Sequence, residues 1–173
     1  MWCRDIKPEN LLLVSKSDDT SLKIADFGLA AVASQPTLST PCGTPSYAAP
    51  EILNSCPYGK AVDMWALGVV SYCLLGGYLP FDEEDIGDLF SSIKRGEYEF
   101  DEEHWGAVST EAKNFISSLL RVNPKQRMTA HEALDHPWVS NISFIYICSA
   151  SCCGNISLAS CGPHDSECPR LDW

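Results

Sequence analysis

Three polar residues fall within six positions near the start of the chain: Asp5, Lys7 and Asn10, in Arg4-Asp5-Ile6-Lys7-Pro8-Glu9-Asn10. A carboxylate, a cation and an amide oxygen at one loop suit phosphoryl transfer. The carboxylate can orient an attacking hydroxyl, the cation can steady the phosphoryl group in flight, and the amide oxygen can help hold magnesium. Sixteen residues after Asn10 comes Asp26-Phe27-Gly28, whose carboxylate can face the same hard cation. Each segment alone is also an ordinary polar loop. Further on lies Ala49-Pro50-Glu51, its glutamate twenty-three positions beyond Gly28.

These residues need elements to bring them together. Residues 11–14 and 22–25 are short apolar runs separated by the polar residues 15–20, which predicts strand, turn, strand. That hairpin sets Asn10 at the head of one strand and Asp26 at the end of the next. Residues 62–75 are almost wholly apolar and predict a buried helix, stopped by Gly76-Gly77 with Pro80 beyond. Residues 85–94 and 110–121 read as amphipathic helices, the second capped by Ser109 or Thr110. Thr129 caps a short helix over 130–134 that ends before Pro137. The expected architecture is mainly α, one small hairpin followed by helices.

With these motifs in this order and spacing, residues 1–138 resemble the eukaryotic protein kinase family from its catalytic loop to its last helices. The resemblance implies ATP and magnesium as cofactors and the following roles. Asp5 is the catalytic base, and Lys7 steadies the transferred phosphoryl group. Asn10 and Asp26 hold magnesium, and Leu12 lies beneath the adenine ring. Phe27 packs as the switch of the activation loop. Glu51 forms a buried ion pair with Arg127 of Asn123-Pro124-Lys125-Gln126-Arg127-Met128, and Asp63 braces the catalytic loop through its backbone amides. The Asp-x-Lys-Pro-Glu-Asn loop resembles the serine/threonine branch, in which Thr44 contacts Asp5 and Lys7. Thr40 lies where an upstream activating kinase would place a phosphate, with Arg4 as the residue to pair with it. Ser39-Thr40-Pro41-Cys42-Gly43-Thr44-Pro45 and Gly77-Tyr78-Leu79-Pro80-Phe81 resemble the calcium/calmodulin-dependent group most. In that group a regulatory helix and calmodulin site follow the last helix. No segment after Trp138 has that pattern.

Two departures stand against the resemblance. Cys3 occupies the position before Arg4 where the family has histidine, a small apolar thiol in place of a ring packed under Phe27. No Gly-rich loop, lysine-bearing third strand or glutamate-bearing helix precedes Asp5 within these residues. The expectation is therefore a C-terminal lobe whose N-terminal lobe is missing from the sequence, and a polypeptide that does not transfer phosphate at a useful rate by itself. The alternative is a catalytically inactive kinase-like binding module.

The formal net charge is −11, which repels nucleic acid and anionic membranes and favours basic protein substrates. Ten carboxylates lie between Asp82 and Glu103. They read as a solvated face or as a surface that attracts basic substrate. No apolar run nears the ~18 residues of a membrane span, and Met-Trp-Cys-Arg-Asp lacks the apolar stretch of a secretory signal. The cytoplasm, or the nucleus, is the expected compartment. Of nine cysteines, five crowd into the last stretch at Cys148, Cys152, Cys153, Cys161 and Cys168. That shift sets a boundary near Trp138 and makes 139–173 a Cys-rich tail, expected to be disordered. Its spacing lacks the paired knuckles of a zinc site.

Overall fold

The computed structural model describes residue 3 and residues 6–15, 18–25 and 45–140. Arg4, Asp5, Asp26, Phe27, Thr40, Thr44 and the tail from residue 141 lie outside the described residues, as do the expectations placed on them.

The described residues form one two-stranded antiparallel sheet, β1 (Leu11–Ser15) with β2 (Asp18–Ile24), and their other regular elements are helices. Leu11 pairs with Ile24, Leu12 with Lys23 and Leu13 with Leu22, and a register shift lies between Leu13 and Ser15. The polar stretch 15–20 was expected to be turn, yet β2 begins at Asp18. A hairpin with solvent beside it accepts polar residues in its ladder.

Seven helices follow: α1 (Pro50–Leu53), α2 (Ala61–Gly76), α3 (Ile86–Arg95), α4 (Glu102–Trp105), α5 (Thr110–Leu119), α6 (Ala130–Asp135) and α7 (Pro137–Ser140). Helix α2 is the core of the unit. Its apolar sequence buries ten of its sixteen residues, among them Trp65, Val69 and Tyr72. It stops at Gly77, whose φ of 81° a side chain would resist. Gly76 lets Trp105 close on the helix end, since a Cβ there would lie 2.7 Å from the indole ring.

The amphipathic helices are capped as their sequences direct. Asp85 accepts the amides of Gly87 and Asp88 at the start of α3. Ser109 accepts Ala112 N–H for α5, and Thr129 with Glu132 forms a reciprocal capping box on α6. Helix α5 ends at Leu119, two residues short of its expected end. Leu120 leaves helical geometry with a ψ of 41° and is buried, while the Arg121 carbonyl turns to accept from Arg127 Nε at 3.0 Å.

Two clusters form the interior. One gathers Trp65, Val69, Tyr72, Phe81 and Trp105 around α2. The other joins Met64, Phe115, Leu119 and Met128 beneath Trp138 and Val139.

Candidate active site

The loop before β1 is shaped by Pro8. Lys7 is extended, with φ −153° and ψ 161°, and Pro8 then opens a single 3-10 turn through Asn10. Proline suits that first position because its missing N–H would have had no partner there. Asn10 N–H donates to the Lys7 carbonyl at 3.0 Å, closing the turn. Asn10 is 7% exposed, and its carbonyl accepts Ala25 N–H at 2.8 Å. The residue immediately before Asp26 is thereby tied to Asn10, although fifteen positions separate them. The hairpin exists in this site to make that tie.

A second tie comes from α2. Asp63, in its first turn, accepts Cys3 N–H through Oδ2 at 2.8 Å, across sixty residues. A carboxylate is favoured at a helix start by the exposed amides there. The Cys3 backbone is thus pinned to the most buried helix. The Cys3 thiol is pushed up, first by burial and then by the Asp63 carboxylate, and stays neutral.

Leu12, the residue expected beneath adenine, is 48% exposed on β1, with Val14, Leu22 and Ile24 also exposed on the hairpin. Asn10, whose amide oxygen is of the hard type that magnesium accepts, is buried beside the strand end at Ala25. Among the described residues no cluster of three or more histidine, cysteine or acidic side chains could hold a metal. No helix of the described residues is long and apolar enough to cross a membrane.

Glu51 and Arg127 meet in the interior. Arg127 Nη1 donates to Glu51 Oε1 at 2.8 Å and Nη2 donates to Oε2 at 3.0 Å, a two-pronged pair. The remaining guanidinium protons go to the carbonyls of Ala61, Arg121 and Val122. The Arg127 guanidinium also lies over the Trp65 ring at 5.1 Å. The pair joins α1, the start of α2 and the segment after α5.

Two groupings carry no motif in the sequence. The Cys73 thiol on α2 is pushed up by burial and then by the carboxylates of Glu9 and Asp82. A cluster of Tyr72, Tyr78, Asp101 and Trp105 shares hydrogen bonds between α2 and α4. Their sequence separations follow neither helix nor strand periodicity, so only tertiary packing reveals them.

A protein kinase domain model matches residues 1–139. The chain belongs to the protein kinase family. It is 50% identical over 137 residues to calcium/calmodulin-dependent protein kinase type 1 of Caenorhabditis briggsae, covering 79% of this chain and 38% of that protein. It is 51% identical over 137 residues to the type 1B enzyme of Homo sapiens, covering 79% and 40%. It is 50% identical over 139 residues to myosin light chain kinase A of Dictyostelium discoideum, covering 80% and 47%. The chain thus spans less than half the length of these relatives. The mainly helical fold with one small hairpin is that of a kinase C-terminal lobe, and the likeness is to the calcium/calmodulin-dependent group.

Proposed function

We propose that this chain is the catalytic half of a serine/threonine protein kinase that transfers the γ-phosphoryl group of ATP to protein hydroxyls. The observation that supports the reading is the 2.8 Å bond from Ala25 N–H to the Asn10 carbonyl, which ties the Lys7–Asn10 turn to the residue that precedes Asp26 in sequence. In the proposed step the substrate hydroxyl passes its proton to Asp5. Its oxygen bonds to phosphorus, and the bond from phosphorus to the ADP oxygen breaks. Lys7 holds the phosphoryl oxygens in transit, and Thr44 orders Asp5 and Lys7. Magnesium, when bound by Asn10 and Asp26, neutralises charge on the phosphates. Leu12 offers an apolar floor to adenine, in keeping with its exposure.

A phosphate on Thr40, placed by an upstream kinase, would pair with Arg4, and Phe27 would pack behind Asp26. The acidic run after Pro80 and the net charge of −11 support basic protein substrates. The described cysteines, Cys3, Cys56 and Cys73, are free thiols, which suits a reducing compartment such as cytosol or nucleus. The tail expected from residue 139 begins later, because α7 runs to Ser140 and Val139 packs against the core, so we take residues 1–140 as the kinase unit and 141–173 as a separate tail.

The test compares phosphate transfer to basic serine, threonine and tyrosine peptides, with Lys7→Ala as control. Transfer to serine or threonine, lost with Lys7→Ala, supports the reading. A native protein that binds such peptides without transferring phosphate would make it a binding module.

A further inference from the structure

Away from the proposed site, four polar groups form a chain between α2 and α4. Tyr72 Oη lies 2.6 Å from the Glu99 carbonyl and 3.0 Å from Tyr78 Oη. Tyr78 Oη also contacts Asp101 Oδ2 and accepts Trp105 Nε1–H at 3.1 Å. Asp101 caps α4: its Oδ1 accepts His104 N–H at 2.8 Å and meets His104 Nδ1 at 2.8 Å.

The protons in this chain can be counted. A phenol has one to give, and a carbonyl or ionised carboxylate has none. Tyr72 must donate to Glu99, and Tyr78 must donate to ionised Asp101. Tyr72 has one proton for two acceptors, the Glu99 carbonyl at 2.6 Å and Tyr78 Oη at 3.0 Å, and the shorter contact takes it, so the contact between the hydroxyl oxygens has no proton of its own. One further proton on Asp101 Oδ2 fills the chain. Asp101 then donates to Tyr78, Tyr78 to Tyr72, and Tyr72 to the Glu99 carbonyl, while Oδ1 keeps both contacts with His104.

We propose that Tyr72, Tyr78 and Asp101 form a proton-reversible latch, which ties the 77–81 connection to α4 in both charge states of Asp101 by reversing the Tyr78–Asp101 hydrogen bond and, in the protonated state, adding one from Tyr78 to Tyr72. Donation from Tyr78, then from the His104 amide, holds the Asp101 carboxyl well below the ordinary carboxylate range, so the arrangement at neutral pH is the one in which Tyr78 donates to Asp101. The titratable groups facing Asp101 are Tyr78 from the connection and His104 from α4. Tyr72 on α2 reaches it only through Tyr78, and Glu102 and Glu103 flank it along α4. The latch is independent of the phosphotransfer reading.

Asp101→Asn mimics the protonated form, because its amide donates where Oδ2 sat and its oxygen still caps α4. Tyr72 gains a donor only in that form, though it does not touch residue 101. Tyr72→Phe is therefore expected to lower the melting temperature of the full chain at neutral pH more in the D101N background than in the unmodified one. An equal or smaller loss overturns the latch. A second measurement needs no variant. On acid titration the 13C signal of the hydroxyl-bearing Tyr72 carbon is expected to move together with the Asp101 carboxyl signal. A Tyr72 signal that stays still while Asp101 titrates also overturns it.

Discussion

Arg127 and Glu51 lie seventy-six residues apart in sequence and meet in a two-pronged ion pair with bonds of 2.8 and 3.0 Å. Their side chains are 0% and 8% exposed. Each buried charge is compensated by the other and by carbonyls that take up the remaining guanidinium protons.

Removing one partner strands the other. Arg127→Ala is expected to destabilise the fold by about 3–5 kcal/mol, read by denaturant unfolding. Arg127→Lys should recover little, because an ammonium cannot fork onto a carboxylate and serve three carbonyls as well.

The brace between Asp63 and Cys3 N–H should report locally. Asp63→Ala removes the charged acceptor and should cost about 1.5–3 kcal/mol. It should also speed amide exchange at Cys3. Unchanged exchange there would mean that α2 does not pin the start of the proposed catalytic loop.

The two glycines ending α2 should respond differently. Gly76→Ala sets a Cβ 2.7 Å from the Trp105 ring and should cost about 1–3 kcal/mol through overpacking. Gly77→Ala meets nothing within 4 Å. Its cost is the left-handed backbone alone, about 1–2 kcal/mol. Thermal unfolding of each variant checks both.

Thiol chemistry should follow pH. Burial, Glu9 and Asp82 raise the Cys73 pKa, so less of it is thiolate at a given pH. Cys56 is exposed. Iodoacetamide at neutral pH should alkylate Cys56 well before Cys73, and Cys73 should need more alkaline solution. Equal rates by mass spectrometry would contradict the acidic, half-buried setting of Cys73.

The helical plan was legible because its signals are local. The apolar run of α2, the caps Asp85, Ser109 and Thr129, and the glycine after α2 each act within a few residues. The four-residue helices α1, α4 and α7 escaped because one turn is too short to show a period. The long-range partners Glu51 and Arg127, and Asp63 with the amino-terminal loop, could be named only through the family resemblance. Spacing alone says nothing of a contact across sixty or more residues. The tyrosine latch was invisible for the same reason, with no motif to point to it. Asp5, Asp26 and Thr44 are assignments by motif, and the described residues that bear on them most are Asn10 and Ala25, bonded to each other.

The most direct test of the proposed activity is phosphate transfer from magnesium-ATP to a basic serine peptide by the native protein that contains these residues, beside its Asp5→Asn form. Removal of a catalytic base typically costs about 10²–10⁴-fold in rate. Turnover that falls in that range with Asp5→Asn, while ATP binding persists, is the predicted result. Turnover that survives the substitution, or no transfer by the unmodified protein, would contradict the reading of residues 5–26 as a phosphotransfer site.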